Sequence, residues 1–284
     1  MKAIVVIILL IALGSLFAQD AKLPQKAEDF FTNGYCHQTV AQTVEKGNTV
    51  KAFVDGKWQE YKLAAFPAPF MKWNIARRLE MLQTIKDMMK NMMKGGKDAK
   101  GPELEGPHNG MVATYGFAGQ GSQFKLNNAV KGMGFLPRAD KIDSVLAMLK
   151  KSKDFPMPQK IKILEGMYKN ADHMFDMHAQ LSLELYSEPK FLTQTYCNQM
   201  INPVSTIVYL DMPCYKLKTI TRLLDSNDPT LTPYEKKVAE YANLIHTYFH
   251  GDYGKQVIAV VYYVVEIYDN SPGDMKARGL MIVP

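Results

Sequence analysis

From Ile75 to Met92 apolar residues recur at spacings of three and four, through Leu79, Leu82, Ile85 and Met89, and this periodicity constrains the fold more than any other feature of the chain. Lys72, Arg77, Lys86, Lys90 and Lys94 accompany it. The pattern predicts an amphipathic, basic helix that stops at Gly95 and Gly96.

Helical punctuation continues beyond it. Asp140 stands where it could cap a helix running to about Lys153, and Pro158 could open a long one through Ile161, Leu164, Met167, Met174 and Leu183. Asn202 followed by Pro203 has the chemistry of a cap and first helical residue. Thr232, Pro233, Tyr234 and Glu235 form a capping box, and the helix it opens should end at Gly251. Gln256 to Tyr268, with five valines, two isoleucines and three tyrosines, favours a strand by composition. Its helical neighbours lead us to expect a buried central helix instead.

One strand pair is legible. Val50–Val54 and Lys57–Tyr61 flank Asp55 and Gly56, and Asp-Gly supplies the two positive-φ positions of a tight hairpin turn. Residues 95–136 hold ten of the 19 glycines, and a structureless segment that long is uncommon inside a compact domain and is usually functional or contains short strands. The expected fold is therefore mainly α: a multi-helix domain with a small N-terminal β-hairpin and a Gly-rich middle segment. The expected divisions are a leader at 1–18, a hairpin segment at 19–70, the basic helix and Gly-rich connection at 71–136, a helical domain at 137–270 and a tail at 271–284.

The leader rests on Met1 and Lys2, the apolar run Ala3 to Leu13, and the small residues around Ala18, the layout of a secretory signal. The run is shorter than the roughly 20 apolar residues of a membrane span. The expectation is export to a periplasmic or extracellular compartment, with cleavage after Ala18. Three cysteines, Cys36, Cys197 and Cys214, allow at most one intramolecular bridge there. If one forms, Cys36 with either of the others is favoured, because a helical hairpin at Asn202 would set Cys197 and Cys214 at different heights.

Charge is unevenly spread. Residues 71–169 carry 18 Lys and Arg against 9 Asp and Glu, whereas 170–284 carry 9 against 13. A basic, methionine-rich helix at 71–94 suits contact with a membrane surface, although packing of its apolar face into a core explains the same pattern. The basic residues do not alternate with aromatics as in nucleic-acid modules, so no nucleic-acid partner is expected.

The sharpest chemical constellation is His246 and His250, four residues apart on the capped helix, which puts both imidazoles on one face where they could share a zinc ion. Asp252 and Tyr253 follow closely. No Gly-x-Ser-x-Gly elbow, phosphate loop or dinucleotide fingerprint is present. The leading expectation is an exported, non-catalytic protein that binds a protein partner or an apolar small molecule. A zinc-dependent enzyme centred on His246 and His250, and a structural envelope component, are the alternatives. N-terminal sequencing of the exported protein should return a start near Gln19; a start at Met1 would overturn the leader.

Overall fold

A computed structural model describes residues 27–43, 48–94, 105–118, 122–252, 254–273 and 279–283. The leader at 1–18 lies outside these residues, as do parts of the Gly-rich segment at 95–104 and 119–121. Among the described residues there are eleven strands and six α-helices, and the strands form two antiparallel sheets in a β-sandwich-like arrangement. The expectation of a mainly helical protein is overturned.

The small sheet has the order β1–β2–β3, from Ala41–Thr43, Thr49–Val54 and Lys57–Lys62. The hairpin predicted at Asp55 and Gly56 is present, with φ of 53° and 77° at the two turn residues. The basic helix also forms, as α1 (Ala68–Met93). Four helices follow: α2 (Ile142–Ser152), α3 (Met157–Lys169), the single turn α4 (Ala171–Met174) and α5 (Gln194–Ile201). Helix α6 (Pro233–His250) starts at the predicted capping box and stops at Gly251, whose φ of 86° is open to glycine.

The large sheet is where the helical expectation fails. Its order is β5–β4–β8–β9–β10–β7–β6, with β11 (Leu280–Val283) paired to the far end of β10. Strand β10 (Ile258–Asp269) is the stretch expected to be a central helix. It lies between β9 (Tyr215–Leu224) and β7 (Phe175–Glu184), buried on both faces, so its sequence carries no alternation of apolar and polar residues. The helix opened at Met157 ends at Lys169, and the residues expected to continue it to Leu183 form β7. Asn202 follows the end of α5, and Val204–Tyr209 form β8.

Strands β4 (Asn109–Tyr115) and β5 (Leu126–Gly132) come from the Gly-rich segment. Strand β6 (Gly134–Pro137) follows β5 after Met133 alone, yet the two lie at opposite ends of the sheet order. The sheet must therefore roll until its edges approach. Lys131 on β5 and Glu184 on β7 meet at 2.6 Å, both largely buried on the concave face. Helix α5 fills one end of that concavity, where Asn198 donates to Thr114 and Gln199 to the Tyr262 hydroxyl. The N-terminal half of α1 fills the other, with Phe70 and Trp73 against Tyr209 and Tyr215.

The convex face is covered over β9, β10 and β7 by α6 and the N-terminal segment. Arg222 on β9 donates Nε–H to Glu235 Oε1 (2.9 Å) and NH1–H to the Gln38 carbonyl (2.9 Å). Glu235 also accepts from the Thr43 hydroxyl and from the Thr232 amide, closing the capping box. Burial alone would raise the Glu235 carboxyl, but the Arg222 charge and these hydrogen bonds hold it below the usual glutamate range. A depressed carboxylate adds stability above its unfolded-state value and loses it as pH falls through its folded-state value. Glu235→Ala leaves Arg222 buried and unpaired, and should cost about 3–5 kcal/mol in urea denaturation near neutrality. The gap between variant and parent should narrow on acidification.

Candidate functional site

His246 and His250 occupy the last turns of α6, as their spacing predicts, with ring centroids 4.8 Å apart and planes tilted by 34°. His250 is exposed; His246 is half-buried, and burial together with the neighbouring imidazole pushes it below the usual histidine value. Zinc sites need three or four ligands. Among the described residues no cluster of three or more His, Cys, Asp or Glu side chains is placed to hold a metal ion. Asp252 accepts from the Gly254 amide at 2.8 Å and faces a cleft on the α6 flank, and Tyr253 lies outside the described residues. The two histidines share a face, but the remaining ligands of the expected site are not assembled.

That cleft has a volume of about 410 Å³ and is lined by Glu240, Asn243, Thr247, Tyr248, Asp252 and Gln256, among others. A smaller one of about 130 Å³ is bordered by Ser187, Glu188, Asp225, Asn227 and Lys255. Polar and charged side chains dominate both, which suits solvent better than an apolar ligand. Near the second, the largely buried Asp228 carboxylate meets His37 Nδ1 at 2.8 Å and accepts from the Thr230 hydroxyl at 2.7 Å. This knot fastens the segment after Cys36 onto the turn that follows β9.

The basic helix is divided. Phe70, Met71, Trp73 and Leu82 are in the core, whereas Met92 and Met93 are exposed. Three of its cations are paired, Arg77 with Asp211 (2.7 Å), Lys86 with Glu165 and Lys90 with Asp87 (3.5 Å), while Lys72 and Lys94 form no ion pair among the described residues. A surface that attracts an anionic membrane uses unpaired cations, and on this helix those are Lys72 and Lys94 rather than the whole basic set.

All three cysteines are free, so none of the bridges that three cysteines allow is formed. Cys36 donates Sγ–H to the Met200 sulfur at 3.4 Å, and burial pushes its thiol up to about 12. Cys197 is likewise pushed up to about 12, first by burial and then by the Glu184 charge. Both are inert packing groups in this setting.

Another surface was not legible in the sequence. The convex side of β5, β4 and β8 carries no covering element among the described residues. Register sets Val130 beside Met111 and Val208 in one row, Asn128 beside Ala113 and Thr206 in the next, and puts Leu126 opposite Tyr115. No position on these rows is charged. Leu126 is 64% exposed, Val130 57% and Tyr115 55%. Phe124, Leu210 and Met212 extend the apolar surface at the strand ends, all exposed. On the β9 border Lys218 pairs with Glu266 at 2.7 Å, while Lys216 lies over the Tyr268 ring and keeps its charge. The signal was alternation within β4 and β5, masked by the glycines around it.

No protein-family model matches the chain, and no curated protein is similar to it. With two imidazoles and no third ligand among the described residues, protein purified without chelator should carry no stoichiometric zinc. Its melting temperature should be the same with zinc or with chelator, and His246→Ala should leave that equality intact.

Proposed function

We propose that this protein is a binding protein that docks a protein partner on the uncovered face of β5, β4 and β8. The observation that carries this reading is an uncharged, largely apolar face of β5, β4 and β8 that no element among the described residues covers, whereas α6 and the N-terminal segment lie over the convex side of β9, β10 and β7. Three strands about 4.8 Å apart and six or seven residues long, at about 3.4 Å each, give a flat area of about 300 Å². Apolar patches of this size on a monomer often mark interaction sites. A stable interface takes about 800 Å² per partner. The contact must therefore run on over Phe124, Leu210 and Met212. The absence of charge on the rows favours a partner with an apolar surface, and gives nothing for a nucleic-acid backbone to pair with.

A photo-crosslinking side chain placed at Val130 or Val208 of the full chain, in its own cells, should give a discrete protein adduct. The same probe at Lys57, on the distant hairpin, should give none. Leu126→Glu should abolish the Val208 adduct while changing stability by no more than about 0.5 kcal/mol, because the side chain is exposed. No adduct at Val130 or Val208, or equal adducts at Lys57, would count against the reading.

A further inference from the structure

Arg78 of α1 is the largest fully buried side chain, and among the described residues no carboxylate pairs with it. Its guanidinium donates Nε–H to Asn74 Oδ1 (2.7 Å) and NH2–H to the carbonyls of Pro107 and Met133 (2.9 Å each). A longer bond of 3.5 Å runs from NH1 to the Tyr168 hydroxyl. The charge lies 5.0 Å from the centroid of the Phe135 ring and 5.7 Å from that of Tyr168. Carbonyls and ring faces disperse a cation but do not cancel it, and an uncompensated buried charge is strongly unfavourable.

Two more donors lie at this end of the concavity. Asn74, one turn before Arg78, is fully buried, and its Nδ2–H group has no hydrogen-bond partner. Gln180 is also fully buried; its Oε1 accepts from the Tyr209 hydroxyl at 3.1 Å, while its Nε2–H group has no partner. Gln180 is the cross-strand neighbour of Phe135, the ring that Arg78 covers. The surroundings thus offer a full positive charge and two unmet amide donors, and want an acceptor that is itself negative.

We infer that a small monovalent inorganic anion of about chloride size binds inside the rolled sheet, held by Arg78, Asn74 and Gln180. It neutralises the guanidinium and accepts from both amides. A water molecule could satisfy the amides but would leave the charge, so the ion and water make different predictions.

The test compares melting temperature in sodium chloride and sodium gluconate at equal ionic strength. The expected result is a rise of a few degrees in chloride that saturates with concentration, since a ligand bound only by the folded state stabilises by mass action. Asn74→Asp sets a carboxylate at the Arg78 Nε and supplies the counter-charge from within the chain. That variant should fold and lose the chloride dependence. Crystals of the parent protein grown in bromide should show an anomalous peak beside Asn74 and Gln180. Equal melting temperatures in chloride and gluconate, an undiminished chloride effect in Asn74→Asp, or a water in place of the anomalous peak would each overturn the inference.

Discussion

Met133 ties together two strands that lie at opposite ends of the sheet order, and most of the architecture follows from that one residue of separation. A flat sheet cannot satisfy it; the sheet has to roll. The roll brings the Met133 carbonyl to Arg78 and the Lys131 ammonium to Glu184. It also drives the Met133 side chain over Gly110, where any Cβ would come within 3.0 Å of Met133 and Ile207 atoms. A glycine is required there by close approach and not by turn geometry. Once rolled, the sheet has a concave face that must be filled, and α5 and the start of α1 fill it. Tyrosine hydroxyls on that face meet amide side chains, as Tyr209 does with Gln180 on β7 and Tyr262 with Gln199 on α5.

The parts of the fold that were legible are those decided within a few residues. The Asp55–Gly56 turn needs only two positive φ values, and the Thr232 box needs only a hydroxyl and a carboxylate three residues apart. The parts that were not legible are decided by neighbours distant in sequence. Strand β10 is covered on both faces by other elements, so Ile258 to Val264 is a continuous apolar run in which a strand and a buried helix look alike. Its valines and tyrosines pointed to a strand, and weighting helical neighbours above composition gave the wrong answer. Strand β7 was missed because Met174 and Leu183 extended the helical spacing of α3, although the backbone turns sharply after Asn170. Asn202 and Pro203 carry the chemistry of a helix start, but here Pro203 lies in the two-residue link from α5 to β8.

The same division governs the candidate sites. That His246 and His250 share a face follows from helical spacing, whereas a third ligand would have to arrive from another element, which spacing cannot show. The uncovered face was hidden for the complementary reason. Leu126 and Val130 stand four residues apart in a stretch dominated by Gly, Asn and Lys, and only the pairing of β5 with β4, and of β4 with β8, gathers them with Tyr115, Met111 and Val208. Arg78 is not singled out by the sequence, because nothing local distinguishes its buried guanidinium from the other cations of the basic helix.

The charge asymmetry takes on a different meaning once the fold is in place. The basic stretch at 71–169 and the acidic remainder pair with each other: Arg77 with Asp211, Lys131 with Glu184 and Lys150 with Glu240. Lys237 with Asp143 runs the other way but joins the same two halves. The exposed ones, such as Lys150 with Glu240, contribute little each to stability. They do set which surfaces stay charged, because cations engaged by the chain's own carboxylates are less available to recruit an acidic partner or a membrane. Among the described residues the face of β5, β4 and β8 carries neither a charged position on its rows nor a covering helix. Part of the unequal charge of the two halves is thus met by pairs between them, and the face proposed here for recognition is one whose own rows carry no charge.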